Sequence, residues 1–541
     1  MGKSVKGNIV DVFNKKIFPG EIIFENGEII SIENSDDVPD QFVLPGFIDA
    51  HVHIESSMLV PSEFARVAVT HGTVGTVSDP HEIANVLGVE GVLFMMQNAA
   101  EVPFKFYFGA PSCVPATQHE TSGGIIGMKE IEELLSMREI RYLSEVMDYP
   151  GVVNRKGTIM EKIEAAKKEG KPIDGHAPGL RGEDLKKYVS AGISTDHECT
   201  SREEAEEKLG LGMKILIREG SAAGNMKELI DLVNTHPDEI MLCTDDIHPG
   251  NLIGGHIAEM VKYGIAMGMD VFDMLRAASV NPVLHYGLDV GLMRPGDPAD
   301  FILIDDFVKF TILETYIDGN RLYGDQAVMM KKASVIPVNL FHARKIKPEC
   351  IAVAAGTQKI RVIVAEDNQL VTGSEISIPR ISDGIILPDP ERDILKIVVL
   401  DRYTGRPPAV GFIRGFGFKK GAIAGSVSHD CHNVIAVGVC DADLCTAVNK
   451  VIECQGGLVV AAGDETEFLP LPVAGLMSDM DADFVAGKME VIEEKVSGLG
   501  SRLKSPFMTL SFMALLVIPK LKMSDRGLFD SEAFSFTSVW V

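Results

Sequence analysis

His51-Val52-His53 carries more chemical potential than any other short stretch of this sequence. Alternate residues of a β-strand point to one face, so the two imidazoles would stand side by side. Neutral imidazole is a good ligand for Zn²⁺, Mn²⁺ or Fe²⁺. Further candidate ligands recur downstream: His176 in "KPIDGHAPG", His197 in "GISTDHECT", and Asp245 with Asp246 in "EIMLCTDDIHP". Each ends a short candidate strand, where such a side chain is costly unless it binds something. Together they predict one centre that binds divalent metal and lowers the pKa of a bound water, giving a hydroxide nucleophile.

Such a centre needs elements that bring residues 51 to 246 together. From "FVLPGFIDAHVHIES" to about residue 285, apolar strand-like runs alternate with charged helical stretches. Helices are predicted over Ile83–Glu101 and Lys227–Asn234, among others. Strands alternating with helices imply a parallel sheet, and eight such units match a (β/α)₈ barrel. The candidate ligands fall at the ends of its first, fifth, sixth and eighth strands, where a barrel places its catalytic groups. Ahead of the barrel, "NIVDVFNKKIFPGEIIFENGEIISIE" reads as short strands with turns at Pro19-Gly20 and Asn26-Gly27. Behind it, "GDPADFILIDDFVKFTILETYIDGNRLY" is strand-rich again and can pair with those strands. The predicted fold is α/β: a (β/α)₈ TIM-like barrel (46–288) inserted in a small β-sandwich (1–45 and 289–340), plus a C-terminal α+β domain (341–541). In that last domain helices are predicted over Asp441–Cys454 and Ala482–Gly498.

Composition narrows the function classes. A net charge of −26, from 51 basic and 77 acidic residues, repels nucleic-acid phosphates and anionic membranes. A small neutral or cationic substrate fits better. The eight cysteines include no CxxC pair, and the apolar stretch from Phe507 to Pro519 is too short to span a bilayer. A soluble, cytoplasmic protein is expected, with no nucleic-acid or membrane partner, assembled as a homo-oligomer (a dimer).

"LPGFIDAHVHIE" resembles the signature of the amidohydrolase superfamily, and His51, His53, His176, His197 and an eighth-strand Asp follow its metal site in order. "GDPADFILID" is similar to that superfamily's return to its β-sandwich. More narrowly, "HVHIESSMLVPSEFARVAVTHGTVGTVSDPHEIANV", "CTDDIHP" and "SHDCHNVIAVG" resemble the adenine deaminase family. Many binuclear members of the superfamily bridge their metals with a carboxylated lysine on strand four. Here that strand reads "YLSEVMDY", without lysine, and Glu145 is the substitute. The resemblance therefore implies two metals, one held mainly by His51 and His53, the other by His176 and His197. Glu145 bridges them and Asp245 completes the site. It favours Mn²⁺ or Fe²⁺, with Zn²⁺ also compatible. It further implies attack of hydroxide on C6 of adenine, with Asp245 moving a proton to the departing ammonia; Glu120, in the loop after strand three, is the candidate for protonating N1.

Other residues carry two readings. Glu120 and His119, in "ATQHETSGG", line a substrate site or are solvated loop residues. His81 lines the pocket, or Asp79-Pro80 simply starts a helix with Glu82 in its first turn. Asp246 binds substrate or supports Asp245, and His248 orients the loop. Ser56 and Ser57 bind substrate or cap a helix. His429, Asp430 and His432 form a second HxH-like cluster, read as structural or substrate-closing. Rival activities on the same barrel are cyclic-amide hydrolysis and N-acetyl-sugar deacetylation. A non-catalytic scaffold would have lost ligands, and none is missing here.

Overall fold

A computed structural model describes residues 2–221, 223–356, 359–367 and 369–541. The chain forms two compact units. The first comprises Met1–His81, Leu93–Cys113 and Gly127–Ser334; the second comprises Glu82–Val92, Val114–Ile126 and Val335–Val541.

In the first unit, β1 (Lys3–Asp11), β2 (Lys16–Glu25), β3 (Glu28–Asn34) and β4 (Phe42–Pro45) precede the barrel. β14 (Phe301–Ile304), β15 (Ile312–Ile317), β16 (Asn320–Gly324) and β17 (Ala327–Val328) follow it. They form one eight-stranded sheet in the order β17-β16-β15-β14-β4-β1-β2-β3. The two flanking segments meet where β4 pairs antiparallel with β14, Val43 opposite Leu303. Phe24, Phe301 and Tyr316 pack as an aromatic cluster on the buried face, Phe301 stacked on Tyr316 at 4.6 Å. Asn26-Gly27 forms the β2–β3 turn with both φ angles positive, as a type I′ hairpin requires. The turn expected at Pro19-Gly20 is not there. Both residues lie within β2, opposite Asn8 and Gly7. β3 ends at Asn34, opposite Gly20, so Pro19 sits beyond the β2–β3 ladder, where its missing N–H costs nothing.

Eight parallel strands make the barrel: β5 (Phe47–His53), β6 (Thr73–Ser78), β7 (Lys105–Ala110), β8 (Ile140–Val146), β9 (Ile173–Gly175), β10 (Thr195–Asp196), β11 (Lys214–Arg218) and β12 (Ile240–Cys243). β5 to β9 form one continuous ladder and β10 to β12 another. β13 (Asp245–Asp246) continues β12 after Thr244 and pairs with β5, placing Asp245 opposite Val52. Between β9 and β10 the link is sparser: the Ser194 N–H donates to the Ile173 carbonyl at 2.9 Å. Gly109 lets β7 approach β8 closely, since a Cβ there would meet Ser144 and the Tyr142 ring at 2.7 Å. The helix predicted over Ile83–Glu101 is divided into His81–Leu87 and Val89–Ala99. Gly88, at φ +62°, ends the first piece in the left-handed conformation favoured by glycine. Lys227–Asn234 likewise becomes two short helices, Met226–Leu229 and Leu232–Thr235.

The second unit is built on another eight-stranded, mostly antiparallel sheet. Its central strands Leu395–Leu400, Val434–Gly438 and Ala422–Gly425 are wholly buried. Helix Asp441–Cys454 covers them with Leu444, Val448 and Val451 packed on Val398, Ala436 and Val459. Helix Ala482–Gly498 begins with the Asp481 carboxylate accepting the Phe484 N–H. Among the described residues, no helix is long and apolar enough to cross a membrane.

Candidate metal centre

Every residue of β5 is buried, and its alternation puts His51 and His53 on one face, with their Nε2 atoms 3.2 Å apart. His53 Nδ1 lies 3.1 Å from the Asp79 carbonyl oxygen, just past the end of β6. A carbonyl only accepts, so Nδ1 carries the proton and, in the neutral ring, Nε2 keeps its lone pair facing inward. β8 delivers Glu145 one residue before its end. One carboxylate oxygen, Oε1, is 3.6 Å from His53 Nε2 and 3.4 Å from His81 Nδ1. The other, Oε2, is 2.7 Å from His176 Nδ1 and 3.2 Å from His197 Nε2. Glu145 therefore presents one oxygen to each of two histidine groups.

The loops past β9, β10 and β12 are held from behind. Asp196 accepts from the Ala177 and Glu198 N–H groups and from the buried Lys208 ammonium, which also donates to the Ala177 carbonyl and to Glu204. Asn225 donates to the carbonyls of His197 and Cys199. Asp49 accepts from the Thr244 N–H and hydroxyl, while His256 bridges Asp49 and Thr73. Asp245 itself sits at φ +57°, a region Asp tolerates better than most residues. Its Oδ1 is 3.2 Å from His53 Nε2 and 3.6 Å from His51 Nε2. Its Oδ2 accepts from Arg218 at 2.5 Å.

The electrostatics follow from burial and proximity. Burial, with repulsion from His197, lowers the His51 pKa. For His53, burial and His81 act in the same direction, but Asp245 and Glu145 outweigh them and hold the pKa well above its ordinary value. Burial also opposes the charged form of His197, yet Glu145 and Glu198 hold its pKa well up. Burial favours neutral Glu145 and Asp245. Nevertheless the histidines, His176 foremost, keep Glu145 far below the usual carboxylate range, and Arg218 does the same for Asp245. Asp79 Oδ2 is buried and, among the described residues, has no hydrogen-bond donor, although His81 Nδ1 is only 3.3 Å away. Ionised carboxylates facing imidazole nitrogens in a water-poor pocket are the donor set of a divalent transition metal. His53, Asp79, His81 and Glu145 form one group close enough to share an ion. So do His51, His53 and Asp245; His51, Glu145 and His197; and His176, His197 and Glu198.

Of the residues singled out in the sequence, His51, His53, Glu145, His176, His197 and Asp245 converge here, and so does His81. Asp246 is in none of these groups, and its Oδ1 accepts from the Ser56 hydroxyl at 2.5 Å. Glu120 and His119 belong to the second unit. There burial, with the charges of Asp430 and Asp525, holds the Glu120 carboxyl well above the usual range. The His119 ring packs on Phe529 at 5.0 Å. Glu82, in the same unit, is gripped by His429 at 2.9 Å and by His432. Sequence reasoning missed Asp79 as a cluster member, and also Glu198 and Arg218. The available signal was a charged residue closing a buried strand, as in "ILIRE", and an acidic residue beside His197.

A parallel barrel with imidazoles and carboxylates gathered at its strand ends defines a metal-dependent hydrolase class. The amidohydrolase family matches residues 42–322, and the adenine deaminase C-terminal domain matches residues 369–535. The adenine deaminase of Salinibacter ruber is 53% identical over 540 residues, and that of Methanosarcina mazei 50% identical over 551; each alignment covers 99% of both chains. The adenine deaminase of Borreliella burgdorferi is 46% identical over 544 residues, covering 98% of each chain. The chain belongs to the amidohydrolase family, on its adenine deaminase branch, and that family's use of divalent metal agrees with the clusters found here.

Proposed function

We propose that this protein hydrolyses adenine to hypoxanthine and ammonia at a pair of divalent metal ions. The full-length likeness to adenine deaminases supports the substrate. The observation that carries the two-ion reading is Glu145, whose two oxygens face separate histidine groups. His51, His53 and Asp245 would hold one ion and His176 and His197 the other, with Glu145 shared. When bound, the ions polarise a water molecule and bring its pKa toward neutrality. Asp245, kept ionised by Arg218, takes a proton from the attacking water and gives it to the departing amino group. The new bond joins the water oxygen to C6, and the C6–N bond breaks. Glu120 is the proposed donor to ring nitrogen N1, supported by burial that favours its protonated form; the second proton of the attacking water, released as the C6 hydroxyl becomes a carbonyl, replaces the one Glu120 gives. His81, His119 and Asp246 are proposed to contact substrate, His81 with the best support because it borders Glu145.

Mn²⁺ or Fe²⁺ is the proposed metal, with Zn²⁺ a third choice. Purine salvage in the cytoplasm and a homodimeric assembly complete the proposal. The deciding experiment follows the ultraviolet spectrum of adenine with metal-free protein, then with protein reloaded with Mn²⁺ or Fe²⁺. A metal-dependent shift to the hypoxanthine spectrum with ammonia release is expected. No change in folded, reloaded protein would overturn the proposal and move the search to cyclic amides and acetylated sugars.

A further inference from the structure

Arg218 closes β11 and is 4% exposed. Its guanidinium touches two carboxylates, each beside a different histidine pair of the candidate metal centre. One terminal nitrogen donates to Glu198 Oε1 and to Asp245 Oδ2, both at 2.5 Å, and the other donates to Glu198 Oε2 at 3.1 Å. Nε donates to the Ala223 carbonyl at 2.8 Å. The backbone is pinned as well: the Arg218 N–H donates to Asn225 Oδ1, and the Asn225 N–H donates back to the Arg218 carbonyl. Glu198 Oε1 lies 3.4 Å from His197 Nε2 and 3.6 Å from His176 Nδ1. Asp245 Oδ1 faces His51 and His53. One rigid fork therefore fixes a carboxylate beside each histidine pair. A lysine, a single point charge on a flexible stem, could not hold both in this geometry.

We propose that Arg218 is a positioning residue: it occupies Asp245 Oδ2, so that Asp245 meets the ion cluster through Oδ1 alone, and it ties Asp245 to Glu198 as one unit. This rests on the two-ion reading given above. Freed from the guanidinium, Asp245 could turn its second oxygen toward the ions and take the place of the attacking water. The ions would stay bound while turnover fell.

The test compares Arg218→Lys and Arg218→Ala with wild type, all loaded with Mn²⁺. Arg218→Lys is expected to keep the wild-type ratio of Mn²⁺ to chain and to lose roughly 10- to 100-fold in kcat, the range for residues that support metal ligands, with KM for adenine nearly unchanged. Its Mn²⁺ electron paramagnetic resonance spectrum should differ from wild type, reporting the altered carboxylate. Guanidinium added to Arg218→Ala should restore kcat saturably. Wild-type kcat and spectrum in Arg218→Lys would overturn the inference. So would a kcat loss that merely follows lost Mn²⁺, or a folded Arg218→Ala that guanidinium leaves unchanged. Absence of adenine turnover in wild type would instead overturn the proposed function, and the spectral comparison would still judge Arg218.

Discussion

His53 has the densest surroundings of the cluster, with the Asp79 carbonyl behind it and His51, Asp245 and Glu145 in front. Its removal deletes a nitrogen that belongs to two of the groups close enough to share an ion. His53→Ala should lower bound metal and reduce turnover below about 1% of wild type, beyond the loss typical of residues that only support ligands. Metal analysis and circular dichroism check this together; full metal content and activity in the variant would refute the assignment. Glu145→Gln asks a finer question. Glutamine keeps the shape but loses the negative charge that lets one carboxylate serve two cations. The ratio of metal to chain should fall from about two toward one, and titration of metal-free protein reads this directly. At this scale the sequence was informative where a residue type had one plausible use. HxH on a strand needed only the period of a strand. Arg218 and Glu198 were opaque because a charged residue at a strand end is usually solvated. Their partners lie 20 and 27 positions away from Arg218 and become neighbours only when β10, β11 and β12 pair side by side.

At the scale of elements, the barrel strands were legible as apolar runs, and even the two-residue β10 was marked by the histidine that follows it. Interruptions within elements were less so. Gly88 and Pro19 have local preferences that the tertiary setting uses in opposite ways, one ending a helix and the other tolerated within a strand. Lys522 shows what local sequence hides altogether. It lies on the wholly buried strand Leu521–Ser524, with its Nζ donating to the carbonyls of Leu370 and Phe512. Burial lowers its pKa from 10.5 to about 7. The unfolded chain binds the proton more tightly, so this group's stabilising contribution is full above about pH 10.5 and declines as the pH falls toward 7. The slope is about 1.4 kcal/mol per pH unit in that window. Lys522→Met should remove it. Melting temperatures of both proteins between pH 7 and 10 should therefore diverge in slope, and parallel curves would refute the account.

At the scale of the whole molecule, the net charge of −26 attracts cations and repels polyanions, yet it does not locate the ions. The fold gathers the six residues proposed as ligands into the first unit, although they span positions 51 to 245 of the chain. Without metal, the ionised Glu145 and Asp245 remain buried and lose the cations they face. A ligand present at about 1,000 times its dissociation constant stabilises the state that binds it by about 4 kcal/mol. Chelation should therefore speed hydrogen exchange by up to about 1,000-fold in amides that exchange only when this unit opens, foremost in β5, β8 and β12. The central strands of the second unit, Leu395–Leu400 and Val434–Gly438, contribute none of these ligands and should keep their protection. Exchange measured by mass spectrometry before and after chelation separates the outcomes. Equal acceleration in both units would mean that the ions stabilise the whole chain as one cooperative body. No acceleration in β5, β8 or β12 would mean that these strands do not depend on a bound ion, and the proposed centre would fall.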